Sequence, residues 1–167
     1  MFNEDDQFVR KLHEQGRLVP VIQSYFPNAQ RIEYTQEIVD AASQLGIHRG
    51  DYEGLAMDKH GIDYLVLDPR LGHVRVDVKA RRDDFMKVYG KKTYNDDVVL
   101  EHESFKTENG KRVPAPGWAV SNTDPAKDKH TDFILFFWEP TNRHWLAPYR
   151  LIRLAMDEYL EQWLEYA

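Results

Sequence analysis

Polar and apolar positions alternate most regularly from Gly61 to Arg82, in two runs that flank Asp68-Pro69-Arg70-Leu71-Gly72. Alternation around turn-forming Pro and Gly predicts a β-hairpin with a five-residue loop, 68–72. Symmetric closure sets Leu67 opposite His73 and pairs Ile62, Tyr64 and Val66 with Val78, Val76 and Val74 on one apolar face. The other face then holds Asp63 directly opposite Asp77, with Lys79 further along the same side.

The remaining pattern supplies supports for this hairpin. Phe8, Val9 and Leu12 have helical spacing over 4–15, Gly16 ends that helix, and Pro20 opens a second turn through Tyr25 that Pro27 closes. Arg31 to Tyr34 reads as a short strand. Thr35 is expected to cap a helix through Leu45, with Ile38, Val39, Ala42 and Leu45 on one face and Gly46 just beyond its end. Residues 47–60 are irregular and polar, 83–90 suit one short helix or turn, and Asp97 to Phe105 reads as a strand. From Lys106 to His130 Pro and Gly break the pattern repeatedly, and Asn109-Gly110 signals a hairpin. Asp132 to Trp138 is continuously apolar after its first residue, as a strand buried on both faces would be. A turn at 139–142 leads to a paired strand, Arg143 to Ala147. An amphipathic helix over Pro148 to Trp163 then turns Leu151, Leu154, Ala155, Tyr159 and Trp163 inward. The element order predicts an α/β fold, a central mixed sheet flanked by helices. It forms a single domain over 1–167 with a loop or hairpin insertion around 106–130.

Composition narrows the chemistry. With no cysteine in 167 residues, disulfides, zinc–thiolate sites and cysteine nucleophiles are excluded. No apolar run reaches transmembrane length and the acidic N-terminus is unlike a signal peptide, so a soluble, cytoplasmic protein with no membrane partner is expected. The net charge of −6 disfavours nonspecific polyanion binding, but from Lys79 to Lys92 six basic residues face two acidic ones. That local surplus, from Lys79, Arg81, Arg82, Lys87, Lys91 and Lys92, suits a phosphate backbone; an ordinary mixed surface would look similar.

The opposed aspartates are the informative feature. Side chains directly opposite on antiparallel strands are about 4.5–5.5 Å apart, where like charges repel. A divalent cation between them reverses the sign, and two hard oxygen ligands suit Mg²⁺ or Mn²⁺. A neighbouring lysine orients water or stabilises charge developing on phosphorus. The competing reading is a solvated strand face, since a one-residue slip in register would separate the pair.

Asp63, a turn, then Asp77-Val78-Lys79 resembles the bipartite D…(D/E)-x-K signature of the PD-(D/E)XK nuclease superfamily. The resemblance is firm over 61–82 and extends loosely over 1–140; Ile62 stands where the family's Pro would precede Asp63, a departure found within the family. It implies a restriction-endonuclease-like core of the kind shared with Holliday junction resolvases, and metal-dependent hydrolysis of DNA. The implied catalytic residues are Asp63, Asp77 and Lys79. Asp63, Asp77 and the Val78 backbone carbonyl would serve as metal ligands, and Arg81, Arg82, Lys87, Lys91 and Lys92 would grip phosphates. An acidic residue from the first helix joins the metal in many members, which nominates Glu14; a homodimer follows by analogy for enzymes that cut two strands.

Other residues stay open between roles. Asp58 or Glu53, just before the hairpin, can add a ligand oxygen or simply be solvated, and His48 and His60 read as surface residues. Glu101 can pair with a basic residue, lie on an edge or ligate metal. Trp118, with Lys106, Lys111, Arg112, Lys127 and Lys129, forms either a nucleic-acid arm or an anchor for the loop. A noncatalytic nucleic-acid- or protein-binding module on the same fold is the alternative function. An adaptor acting through the acidic C-terminal helix is a third, and neither a nucleophile elbow nor a phosphate-binding glycine loop is present.

Overall fold

A computed structural model describes residues 4–47, 61–82, 100, 103–108, 111–120 and 129–165. The elements in order are α1 (Glu4–Glu14), α2 (Leu18–Tyr25), β1 (Arg31–Tyr34), α3 (Thr35–Gln44), β2 (Tyr64–Asp68), β3 (Gly72–Arg81), β4 (Glu103–Glu108), β5 (Lys111–Pro116), β6 (Phe133–Trp138), β7 (Arg143–Pro148) and α4 (Tyr149–Leu164). Five strands form one mixed sheet in the order β1-β2-β3-β6-β7, in which only β3 and β6 run parallel; β4 and β5 form a separate two-stranded sheet. The chain is thus α/β: among the described residues, a five-stranded mixed sheet with four helices around it. No helix among the described residues is long and apolar enough to cross a membrane.

The two sheet faces bury different sets of residues. Even-numbered Val74, Val76 and Val78 of β3 join Tyr64, Val66, Leu135 and Phe137 in one core, closed by Phe8, Val9 and Leu12 of α1 and by Leu18 and Ile22 of α2. Leu12, Leu18 and Ile22 are fully buried, and truncating one to Ala should cost about 2–5 kcal/mol. On the opposite face Ile134, Phe136 and Ala147 pack with Ala119 and with Tyr149, Ile152 and Met156 of α4. Both faces of β6 are therefore covered, as its continuous apolar run requires.

The hairpin register is the expected one, Tyr64↔Val76, Val66↔Val74 and Leu67↔His73. Its loop is tighter than expected, because pairing continues to Asp68↔Gly72 and leaves only Pro69-Arg70-Leu71 outside the ladder. The Asp68 carboxylate folds over the turn and accepts from the Arg70 and Leu71 amides at 2.8 and 3.1 Å. Gly72 takes the left-handed φ of +78° that restarts the strand.

Several helix expectations change. Thr35 is not a cap: Tyr34 holds that position, and the Thr35 hydroxyl instead donates to the Ile62 and Asp63 carbonyls at 2.6 and 3.1 Å. Strand β1 runs straight into α3, so Thr35 still faces the neighbouring strand. Leu45 is exposed, and of the expected inward face only Val39 is buried. On α4 the sheet selects Tyr149, Ile152 and Met156 rather than Leu151 and Leu154, which are 60% and 52% exposed. The β4–β5 ladder closes at Glu108↔Lys111, which bears out the hairpin signal at 109–110; of the strand expected from Asp97, the described part is Glu103 onward, with Leu100 outside it and the other positions outside the described residues. The short helix or turn expected at 83–90 lies outside the described residues.

Candidate active site

Strand alternation places Asp63, Asp77, Lys79 and Arg81 on the face that carries α4 and Trp118, away from α1 and α2. The β2–β3 ladder changes at this point. Beyond Tyr64↔Val76 the Asp63 amide donates to the Val76 carbonyl at 2.9 Å, while the Ile62 carbonyl is taken by Thr35. The Val78 amide consequently donates to the Asp63 carboxylate, at 2.6 Å to Oδ2, in place of the carbonyl that regular pairing would offer. The Thr35 amide holds the Asp63 carbonyl from the other side at 2.9 Å. Asp63 is thus fixed by backbone on both flanks, and its carboxyl is turned toward β3.

Asp77 is 2% exposed. The Lys79 ammonium lies 3.1 Å from both of its oxygens, and the Lys129 ammonium 2.6 Å from Oδ2. Lys79 also sits over the Trp118 ring, 5.7 Å from its centroid. That indole packs against Phe136, and its carbonyl accepts from the Tyr149 hydroxyl at 2.6 Å, so Trp118 is an anchor that roofs the lysine. Lys129 is held in place from behind. Asp132 binds the Arg75 amide and guanidinium, Thr131 binds the Arg75 carbonyl, and together they fix the entry to β6.

Burial and proximity split the two acids. Burial, followed by the charge of Asp77, pushes the Asp63 carboxyl up to about 7. Burial would raise Asp77 too, but the two lysine ammoniums override it and hold Asp77 at about 2. Burial works against the charge of Lys79, yet Asp77 and Asp63 more than offset it and raise its pKa, so the ammonium form persists. For Lys129 burial prevails, and the pKa falls below the ordinary lysine value.

The structure therefore brings Asp63, Asp77 and Lys79 together, with Val78 between them. By strand alternation the Val78 carbonyl shares the edge on which its amide meets Asp63. Arg81 follows on the same face, whereas the Arg82 guanidinium lies over the Phe8 ring at 4.6 Å, toward α1. Glu14 is not brought in: it is exposed, pairs with Arg10 at 3.1 Å, and rides on the helix that covers the opposite face. Asp58, Glu53, His48, His60, Lys87, Lys91, Lys92 and Glu101 lie outside the described residues. Among the described residues no three His, Asp or Glu side chains cluster as a ready metal cage. The available protein donors are the two carboxylates and the Val78 carbonyl, all hard oxygens. They fit an Mg²⁺- or Mn²⁺-type cation, which keeps several waters, better than a zinc cage. The site residue that the strand pattern misses is Lys129, whose contact with Asp77 spans 52 positions and has no local signal.

No protein-family model, no curated protein and no solved structure matches the chain.

Proposed function

We propose that this chain is a metal-dependent nuclease of the PD-(D/E)XK type, on a restriction-endonuclease-like core, that hydrolyses phosphodiester bonds in DNA. One observation carries the reading: half-buried Asp63, just before β2, and fully buried Asp77 of β3 face one another, with the Lys79 ammonium 3.1 Å from Asp77. A protein gains nothing in stability from a buried like-charge pair, and a cation-dependent reaction gives it a use. Asp63, Asp77 and the Val78 carbonyl would hold Mg²⁺ or Mn²⁺. When bound, that ion polarises the phosphate and activates water.

The other roles follow from charge state. Lys79 keeps its proton, so it stabilises negative charge on the phosphorane-like transition state and positions water, and does not act as a base. Arg81, next along the same face, binds the flanking phosphate. Lys87, Lys91 and Lys92 would extend that grip along DNA.

A second reading, the noncatalytic binding module, is favoured by Lys129. Two carboxylates and two ammoniums already cancel one another without any metal.

Cleavage assays separate the two. Supercoiled, linear and branched DNA are incubated with Mg²⁺, Mn²⁺ or EDTA, using wild type, Asp77→Asn and Lys79→Met. Metal-dependent cutting that both substitutions abolish is the expected result. Equal DNA binding by all three proteins with no cutting would transfer the protein to the binding-module class.

A further inference from the structure

Lys129 makes a close contact in the site, 2.6 Å from Nζ to Asp77 Oδ2, and its side chain is 17% exposed. The space around it is shaped to fit. Gly61 lies against the ammonium with φ +67°, and a β-carbon at that position would collide with Nζ. On the other side the chain passes from Lys129 into Thr131 and Asp132, both bonded to Arg75. The clamp that starts β6 therefore also delivers this ammonium to Asp77.

Formal charge shows what the arrangement permits. With both carboxylates ionised, Asp63 and Asp77 balance Lys79 and Lys129, and the metal-free quartet is neutral. Adding a divalent ion to the intact quartet would leave two uncompensated positive charges in a buried place, which is strongly unfavourable. If the Lys129 ammonium leaves the carboxylate, a single positive charge remains, and one phosphodiester anion cancels it. The lysine and the metal are alternatives at Asp77 Oδ2.

Resting on the metal-centre reading above, we infer that Lys129 is the resident counter-cation of this site: its ammonium holds Asp77 in the metal-free protein, and a divalent ion binds by displacing it. Lys129 thereby sets how tightly the centre takes its metal, and Gly61 is the residue that makes room for it.

The test is Mn²⁺ affinity, read from the electron paramagnetic resonance signal of the free ion at one fixed pH. The proteins are wild type, Lys129→Met, Lys129→Gln and Lys129→Arg, with Asp77→Asn as the blank and circular dichroism as the check on folding. Removing the competing like charge should tighten Mn²⁺ binding about tenfold or more in Lys129→Met and Lys129→Gln. Lys129→Arg, which keeps the cation, should stay as weak as wild type. A merely structural lysine would lower stability without tightening metal binding. Equal or weaker affinity in both neutral variants overturns the inference, as does the absence of Mn²⁺ binding from every folded protein. Should Lys129→Met fail to fold, Lys129→Gln decides alone, and failure of both to fold overturns a role confined to metal exchange. Tighter binding in a protein that cuts no DNA would remove the nuclease reading and leave this inference standing. Unchanged binding in a protein that does cut DNA would do the reverse.

Discussion

Asp132 accepts three hydrogen bonds from Arg75: from the backbone amide at 2.8 Å, from Nε at 3.0 Å and from Nη2 at 2.8 Å. Its own amide returns to the Arg75 carbonyl at 2.9 Å. The pair is partly exposed, 41% and 34%, so its charge attraction is modest and the backbone bond matters more. Asp132→Ala should cost about 1–3 kcal/mol in urea denaturation. It should also tighten Mn²⁺ binding in conditions where the variant remains folded, because the segment carrying Lys129, the competing cation, loses its mooring.

The two site acids should respond oppositely to substitution. Asp77→Ala strands two ammoniums in a buried place and should destabilise the fold by about 3–5 kcal/mol. Asp63→Asn keeps an acceptor for the Val78 amide and removes a like charge, so at pH 8 without metal its stability should equal or exceed that of wild type. Both variants should lose cleavage. Chemical denaturation run beside a plasmid assay tests this separation of stability from activity.

Stability of the metal-free protein should have a specific pH profile. Asp63 has its folded-state pKa raised from 3.8 to about 7, chiefly by burial and next by Asp77. Between those values the folded state binds more protons than the unfolded chain, so the contribution of Asp63 to stability falls as pH rises. Asp77 has the opposite sign. Its pKa is lowered from 3.8 to about 2, because the lysine charges outweigh the effect of burial, and its contribution is lost as pH falls below 3.8. Urea midpoints measured in EDTA should therefore decline from pH 5 to pH 8, and Asp63→Asn should flatten that decline. An equally steep decline in the variant would assign it to other groups.

Thr35 is the least conspicuous support of the site. Its hydroxyl diverts the Ile62 carbonyl from the ladder, which leaves the Val78 amide to Asp63. Thr35→Val keeps the shape and removes the donor, at a cost of about 1–2 kcal/mol. Cleavage should fall more than stability predicts, whereas Thr35→Ser should largely restore both.

Local pattern carried the elements in which one answer dominates. Pro69 and Gly72 fix where the hairpin turns, and the alternation around them then admits one register, which brings Asp63 to Asp77. The apolar run of β6 likewise admits only a covered strand. Helix α4 carries apolar residues on more than one side, so periodicity alone could not choose between Leu151 with Leu154 and Ile152 with Met156; contact with the sheet makes that choice. Thr35 fits a helix cap by type, but a carbonyl 27 positions away competes for its hydroxyl. Lys129 was unreadable for the same reason: its partner is set by the parallel β3–β6 pairing, which no spacing within either segment encodes.

That parallel pairing has a kinetic side. The contacts among β1, β2 and β3 close short to moderate stretches, while joining Val76 to Phe133 closes everything between them. Longer closures lose more chain entropy before any contact rewards them. The hairpin with its two aspartates should therefore form before β6 docks, and pulse-labelled amide exchange during refolding should protect Val74 and Val76 ahead of Leu135 and Phe137. Early in folding the acid pair would stand without Lys129, and a solution cation would be its natural companion. Divalent salt should then speed the first phase of refolding while leaving strand docking unchanged.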